Sequence, residues 1–144
     1  MVINKPPNLD GRHPLHQDLL YFPFRPAEKI IGIWIAFSDT CRENGTLAVI
    51  PGSHKKGEMY DHDMPSHMEE NLNLAYLGAK EVDISKRVHI EAKAGDALFF
   101  HPLLVHGSGR NKTPRYRRGF YLLLCLQQMQ VSSTWRGYGE VLIL

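Results

Sequence analysis

The chain has 144 residues, enough for one domain with a single sizeable core. Its 17 lysines and arginines nearly balance its 15 aspartates and glutamates, so the composition gives no nucleic-acid signature, although it excludes neither anionic small molecules nor acidic partners. Two cysteines do not make a secreted disulfide framework, no signal peptide is visible at the N-terminus, and the longest apolar run, 120–126, is too short to span a bilayer. These features predict a soluble intracellular protein.

The N-terminal part of the chain predicts a loop followed by two strands. Residues 1–12 are rich in Pro, Asn and Gly and are expected to form the loop. A short strand is expected at 19–24, where Pro23 and Pro26 interrupt any regular ladder. The clearest strand pattern of the whole chain covers 30–37.

The two faces of the strand at 30–37 differ in size. One face is uniformly bulky and must pack on another element; it carries Ile31, Ile33, Ile35 and Phe37. The other face carries Ile30, Gly32, Trp34 and Ala36. The space beside Trp34 either lines a ligand site or accommodates a bulky neighbour, and the pattern leaves both interpretations open.

The remainder of the chain predicts one helix among further short strands. The helix is expected at 66–77, where Ser66 and Glu69 form a capping box and Gly78 can end it. The expected strands cover 46–50, 88–91, 97–101 and 117–128, and 55–65 is expected to be a loop. About seven short strands without a βαβ alternation predict an all-β antiparallel sandwich or jelly roll.

The run His16-Gln17-Asp18 carries the first candidate ligands. In an extended chain, residues 16 and 18 project an imidazole and a carboxylate to the same side. A second histidine from elsewhere would complete two nitrogens and one oxygen on one face of a metal, the facial triad of non-haem Fe(II) oxygenases. The spacing alone is weak evidence, because a histidine near a turn is more often a surface residue.

The second half of the chain offers the third ligand and a cation. His106 precedes Gly-Ser-Gly, which lets the backbone approach a ligand closely. Arg117 shares one side of its strand with Gly119 and Tyr121, so an inward guanidinium would need a counter-charge such as a dicarboxylate. The alternative is that Arg117 belongs to a solvated basic edge. Arg118 has the opposite parity and is expected to point outward.

Several further motifs occur together, in order, between residues 16 and 118. They are His16-Gln17-Asp18-Leu19, Tyr21-Phe22-Pro23-Phe24-Arg25-Pro26, Asn44-Gly45-Thr46-Leu47, Pro51-Gly52-Ser53-His54-Lys55, and Phe99 to Gly109 with Asn111-Lys112-Thr113. This set closely resembles the phytanoyl-CoA dioxygenase family. The resemblance implies a double-stranded β-helix (a cupin-like jelly roll) that uses Fe(II) and 2-oxoglutarate, with ascorbate as an additional candidate.

The resemblance also implies roles for individual residues. His16, Asp18 and His106 correspond to the metal ligands of the family. Arg117 corresponds to the clamp on the distal carboxylate of 2-oxoglutarate. The other positions that line the co-substrate site are Gln17, Trp34 and Ser108.

The implied reaction is hydroxylation of a branched fatty acyl-CoA at its 2-position with O₂, in peroxisomal fatty acid α-oxidation, although no targeting signal is visible in this chain. Members of the family are about twice as long. We therefore expect a fold that is incomplete on its N-terminal side, with a thinly covered face at 31–37. Residues 1–128 are assigned to the dioxygenase domain and 129–144 to an unassigned tail. The sequence does not define the oligomeric state.

Two other functions remain open on the residues. The first is a catalytically weak or inactive metal-binding β-fold with an interaction role, which coupled succinate production would exclude. The second is a zinc-binding cupin for a sugar or an acid, which would bind metal without any dependence on 2-oxoglutarate.

Overall fold

The structure is a computed structural model that describes residues 1–62, 78–126 and 130–131. Its strands are β1 (Val2–Lys5), β2 (His13–His16), β3 (Phe24–Arg25), β4 (Ile30–Ala36), β5 (Leu47–Val49), β6 (Val88–His89), β7 (Ala97–Phe100), β8 (His106–Ser108), β9 (Arg117–Cys125) and β10 (Gln130–Val131). Short 3₁₀ helices cover Asp18–Leu20, Ala27–Lys29, Ser53–Lys56 and Ile84–Lys86. The helix predicted at 66–77 lies outside the described residues. Within the described ranges, no helix is long and apolar enough to cross a membrane.

The strands form two antiparallel sheets of four strands each. The sheet with the longer strands, here called the larger sheet, has the order β1-β9-β4-β7. The other, the smaller sheet, has the order β2-β8-β5-β6. β3 and β10 form a separate antiparallel pair. Two facing antiparallel sheets are the layers of a jelly roll, so the predicted all-β class and jelly-roll architecture are confirmed.

The core between the sheets is centred on β4. Trp34 is 1% exposed and packs with Ala36, with Phe100 of β7 and with Leu47 of the smaller sheet. Glycine gives the aromatic rings room: a Cβ at Gly119 would lie 2.9 Å from the Trp34 indole nitrogen. The small residues near Trp34 therefore accommodate neighbouring rings, which was one of the two open interpretations.

The outer face of the larger sheet is apolar and thinly covered. Ile31 is 40% exposed and Phe37 is 55% exposed, whereas Ile33 and Ile35 are half-buried. Exposed apolar side chains on neighbouring strands continue this face; they are Phe99, Leu122 and Leu124. The prediction of a thinly covered face at 31–37 agrees with these exposures, since none of its four members is buried.

Two local predictions are wrong. The strand predicted at 19–24 is instead a 3₁₀ turn over Asp18–Leu20, because the backbone N–H groups of Leu20 and Tyr21 donate back to Gln17 and Asp18. The loop predicted at 1–12 begins with β1, which pairs along β9 and ends just before Pro6 removes the next backbone donor. Tertiary pairing overrides local composition in β1.

Candidate active site

The structure brings His16, Asp18 and His106 together between the two sheets. His16 ends β2, His106 begins β8, and the two residues are direct cross-strand partners, with ring centroids 4.4 Å apart. Asp18 follows two residues after His16, and its Oδ1 lies 3.6 Å from His16 Nε2 and 3.5 Å from His106 Nε2. The three ligand atoms lie within 4.8 Å of one another, and each residue is at most 5% exposed.

Hydrogen bonds define which nitrogen of each imidazole is available. Nδ1 of His16 lies 2.7 Å from the Pro14 carbonyl oxygen, and Nδ1 of His106 lies 2.9 Å from the Leu104 carbonyl oxygen. A carbonyl only accepts, so in the neutral ring Nδ1 is the protonated nitrogen and Nε2 carries a lone pair. Two imidazole lone pairs and one carboxylate oxygen therefore converge on one buried point. Such a donor set fits a divalent metal ion.

The electrostatics of Asp18 and His106 favour their metal-binding forms. Burial alone would raise the pKa of Asp18, but His106, His16 and the Tyr121 hydroxyl together hold the pKa of this carboxyl below its ordinary value. Burial lowers the pKa of His106, with Asp18 opposing the effect. An ionised carboxylate beside a neutral imidazole is the protonation state that a metal requires.

Tyr121 orients the carboxylate. Its hydroxyl donates to Asp18 Oδ2 at 2.7 Å, on the side away from the imidazoles, and this leaves Oδ1 facing them. The sequence analysis did not assign Tyr121 a role. The available signal was its parity with Arg117 along β9, which places both side chains on the inner face.

Arg117 is a buried cation with unused donors. It is 1% exposed, and its Nη2 donates to the Gly45 carbonyl oxygen at 2.6 Å. Its Nε and Nη1 are buried and find no hydrogen-bond partner within the described residues, and the same holds for the indole N–H of Trp34. The guanidinium carbon lies 5.7 Å from the Trp34 ring centre. Burial lowers the pKa of Arg117 to about 10, which leaves it protonated at neutral pH.

Lys5 adds a second buried cation. It is 3% exposed, and its Nζ donates to the Gly109 carbonyl at 2.8 Å and to the Gly11 carbonyl. Burial, followed by the charge of Arg117, lowers the pKa of Lys5 to about 7. Sequence reasoning missed Lys5 because 1–12 was taken as a loop. The alternation Ile3, Lys5 would have placed it on the inner face of a strand.

A cavity of about 230 Å³ joins the metal-ligand cluster to Trp34 and Ser108, which line it together with Phe100 and Tyr121. This volume lies below the usual range of about 300–1,000 Å³ for drug-sized ligands. The cavity therefore suits a small acid rather than a whole acyl-CoA.

Gln17 lies elsewhere. The extended backbone at residue 17 (φ −115°, ψ 131°) turns its side chain away from His16 and Asp18. Its amide group donates to the Leu103 carbonyl oxygen at 2.7 Å and accepts from the Tyr60 N–H at 2.7 Å. Gln17 thus fastens two loops behind the site instead of lining the cavity, in contrast to the role that the resemblance implies.

Arg118 points outward, as its parity predicts. Its side chain is exposed, and its guanidinium carbon lies 5.5 Å from the ring centre of Tyr116. The two neighbouring arginines of β9 therefore face opposite sides of the sheet, one toward the core and one toward solvent.

Comparison with known families identifies the chain. The family profile described as phytanoyl-CoA dioxygenase (PhyH) matches residues 1–119. The chain belongs to the phytanoyl-CoA dioxygenase family. It is 51% identical over 122 residues to the peroxisomal phytanoyl-CoA dioxygenase of Mus musculus and 49% identical over 122 residues to a probable phytanoyl-CoA dioxygenase of Caenorhabditis elegans. Each match covers 82% of this chain but only 36% and 38% of those proteins, so this family member spans little more than a third of their length.

Two solved structures share the fold of this phytanoyl-CoA dioxygenase family chain. EvdO2 from Micromonospora carbonacea var. aurantiaca, in complex with 2-oxoglutarate, matches with a TM-score of 0.75 and 26% identity, covering 92% of this chain and 52% of EvdO2. The non-haem monooxygenase ThoJ matches with a TM-score of 0.76 and 21% identity, covering 92% of this chain and 46% of ThoJ. The ThoJ match supports the fold alone.

Proposed function

We propose that this chain carries the catalytic centre of an Fe(II)- and 2-oxoglutarate-dependent dioxygenase that hydroxylates the 2-position of a branched fatty acyl-CoA. One observation carries the proposal: the lone pairs of His16, Asp18 and His106 converge in a buried cavity. The names of the relatives supply the substrate class.

His16, Asp18 and His106 fit iron. These residues would hold iron through two imidazole nitrogens and one carboxylate oxygen, the donor set expected of non-haem Fe(II) oxygenases. Bound iron would supply the oxidation of a C–H bond, coupled to the conversion of 2-oxoglutarate and O₂ to succinate and CO₂. The protein supplies the ligand geometry and a mostly apolar cavity wall.

The buried N–H donors fit the co-substrate. Arg117 would bind the distal carboxylate of 2-oxoglutarate, because two of its buried donors lack an acceptor among the residues that the structure describes. The Trp34 indole N–H is a third buried donor without an acceptor in the described residues, and Ser108 offers a hydroxyl on the cavity wall. Lys5 is the cross-strand partner of Arg117, and an anion bound there would favour its protonated form. These groups bind and orient the acid, which is how positioning lowers a reaction barrier.

The names of two relatives support a cellular setting. Because the mouse and human relatives are named peroxisomal, we propose that the reaction belongs to peroxisomal fatty acid α-oxidation. We propose residues 1–128 as the part of the chain that belongs to the dioxygenase domain. The remainder, 129–144, stays an unassigned tail, although its strand β10 pairs with β3. Ascorbate is proposed only as an auxiliary reductant.

An anaerobic titration of the chain with Fe(II) and then 2-oxoglutarate tests the site. A weak visible charge-transfer band should develop with 2-oxoglutarate and saturate at one equivalent of iron. His106→Ala should abolish the band, whereas His54→Ala, a histidine outside the metal cluster, should retain it. Absence of the band in the unmodified chain, or an equal loss in both variants, would refute the assignment.

A second candidate is a metal-binding form with little or no turnover. The exposed apolar face formed by Ile31, Phe37, Phe99, Leu122 and Leu124 favours it, because an uncovered face of this kind promotes association. Supplying O₂ and phytanoyl-CoA separates the two functions. Succinate formed in proportion to hydroxylated product supports the dioxygenase, and a normal charge-transfer band without succinate supports the inactive form.

A further inference from the structure

A second cavity lies on the outer surface of the smaller sheet. Its volume is about 950 Å³, within the usual range for small-molecule sites. Ala48 and Gly107, which are cross-strand partners, lie at its floor together with His89. Successive side chains of a strand point to opposite faces of the sheet. His106 of β8 points toward the core, so the next residue, Gly107, faces the outer surface. The cavity is therefore separate from the one that holds the metal ligands.

The rim of this outer cavity is strongly basic. Five cationic side chains line it, and Asp10 is the one carboxylate among the lining residues. Asp10 already pairs with one of the cations, Arg12, at 2.7 Å. The cations without an ion-pair partner in the described part of the chain are Arg42, Arg87, Arg110 and Lys112, and all four are exposed.

This concentration of charge is local. The whole chain has a formal net charge of only +2, yet the four unpaired cations converge from three separate loops, after β4, before β6 and after β8. The charges of these side chains add up inside a concave surface, and they create a positive potential there. Burial, followed by Arg87 and Arg42, lowers the pKa of His89 at the floor, which is the effect expected of such a potential.

The two cavities lie on opposite faces of the smaller sheet and approach each other at its edge strand, β2. His13, Gly107 and Ser108 line both cavities. A ligand that is anionic at one end and extended at the other can therefore occupy the basic cavity and pass this edge toward the metal ligands. The inner cavity, at about 230 Å³, has no room for a nucleotide.

We propose that the outer cavity binds the phosphates at the nucleotide end of the acyl-CoA substrate. The inference rests on the proposed function, since that function supplies an acyl-CoA. The 3′-phosphate and diphosphate of CoA together carry about four negative charges at neutral pH, because the second pKa of a phosphate monoester lies near 6. Four unpaired cations match this charge, and arginine binds phosphate oxygens bidentately.

Calorimetric titration of the full chain with CoA tests the site. Arg87→Gln and Arg110→Gln should each weaken CoA binding about tenfold, the loss expected for one charge-assisted contact, while the melting temperature stays unchanged because both side chains are exposed. Arg118→Gln is the matched control, an exposed arginine on the larger sheet, and it should bind CoA like the unmodified chain. Affinity should fall from CoA to dephospho-CoA and fall further to pantetheine.

Two further sets of measurements can overturn the proposal: binding of other anions, and CoA binding compared with the iron titration. Inorganic phosphate or double-stranded DNA binding as tightly as CoA would overturn it, since the cavity would then be a general anion site. Equal CoA affinity in the Arg87→Gln, Arg110→Gln and unmodified chains would also overturn it. The charge-transfer titration is independent: loss of CoA binding with a normal band refutes this inference alone, and arginine-dependent CoA binding without the band refutes the proposed function alone.

Discussion

Replacement of Arg117 by methionine removes the buried charge while keeping much of the side-chain volume. Without an anion, the guanidinium contributes one charge-assisted hydrogen bond to Gly45, about 1.5–3 kcal/mol, whereas its two donors without a partner among the described residues together cost about 2–6 kcal/mol. The substitution also leaves the Gly45 carbonyl without its donor, at a cost of about 1–3 kcal/mol, so the gains and losses are of similar size. Arg117→Met should therefore leave the free energy of unfolding of the ligand-free chain nearly unchanged or slightly higher, as replacement of a buried charge often does.

The effect on 2-oxoglutarate binding should be large. Loss of a buried, hydrogen-bonded charge from a carboxylate costs roughly 2–5 kcal/mol, which is about 30-fold to several-thousand-fold in Kd at 1.4 kcal/mol per factor of ten. Metal affinity should be retained, because Arg117 is not among the three clustered metal ligands.

Three measurements decide the case. They are the melting temperature without ligand, the rise in melting temperature on adding 2-oxoglutarate to the metal-loaded chain, and metal affinity by titration. Arg118→Met is the control, because its side chain is exposed on the opposite face of β9. Loss of metal binding in Arg117→Met, or equal effects of the two substitutions on 2-oxoglutarate, would show that the wrong arginine or the wrong site has been assigned.

Three further outcomes are expected. Tyr121→Phe removes the hydrogen bond to Asp18 Oδ2 and should weaken metal binding by about tenfold, as loss of a partner of a ligand does; unchanged Co(II) affinity would contradict an orienting role. The pKa of Lys5 is lowered to about 7 in the folded chain against an ordinary 10.5, so the unfolded chain binds more protons between these values and the free energy of unfolding should rise with pH from about 7 to 10. Urea unfolding of Lys5→Met should lack that rise, and an identical pH profile in the variant would exclude Lys5 as its source. Leu124→Lys, on the exposed apolar face, should reduce binding of a hydrophobic dye and change stability by less than about 0.5 kcal/mol; a large loss of stability would mean that the face is covered.

The sequence predicted the fold where one physical signal dominates. The alternation in β4 separated its two faces but not their environments: the bulky face that it expected to pack on another element is thinly covered, and the face with Trp34 forms the core. β1 was missed because its stability comes from pairing with β9, more than 110 residues away, as its register Val2↔Phe120 shows. Pairing between such distant segments leaves no local trace in composition.

The sequence also predicted those parts of the site that depend on local spacing. The two-residue spacing of His16 and Asp18 placed them together, and the structure shows why: the residue between them is extended although a 3₁₀ turn begins immediately afterwards. The same alternation turns the Gln17 side chain to the other side, where it contacts Leu103 and Tyr60, and its co-substrate role stays a prediction. The Tyr121 contact depends on how the sheets face each other, which no spacing reveals.

Gly107 links the two sides of the smaller sheet. A Cβ at this position would lie 2.6 Å from the His13 carbonyl oxygen and 2.9 Å from that of Pro14, both of which are backbone atoms of β2 that cannot rotate away. Any larger residue must therefore push β2 off β8, and β2 and β8 carry His16 and His106. The distance between the two imidazoles therefore depends on a glycine at position 107, whose lack of a side chain lets β2 and β8 approach each other. A survey of variants would score position 107 as intolerant as a metal ligand, although no side chain there reaches the metal.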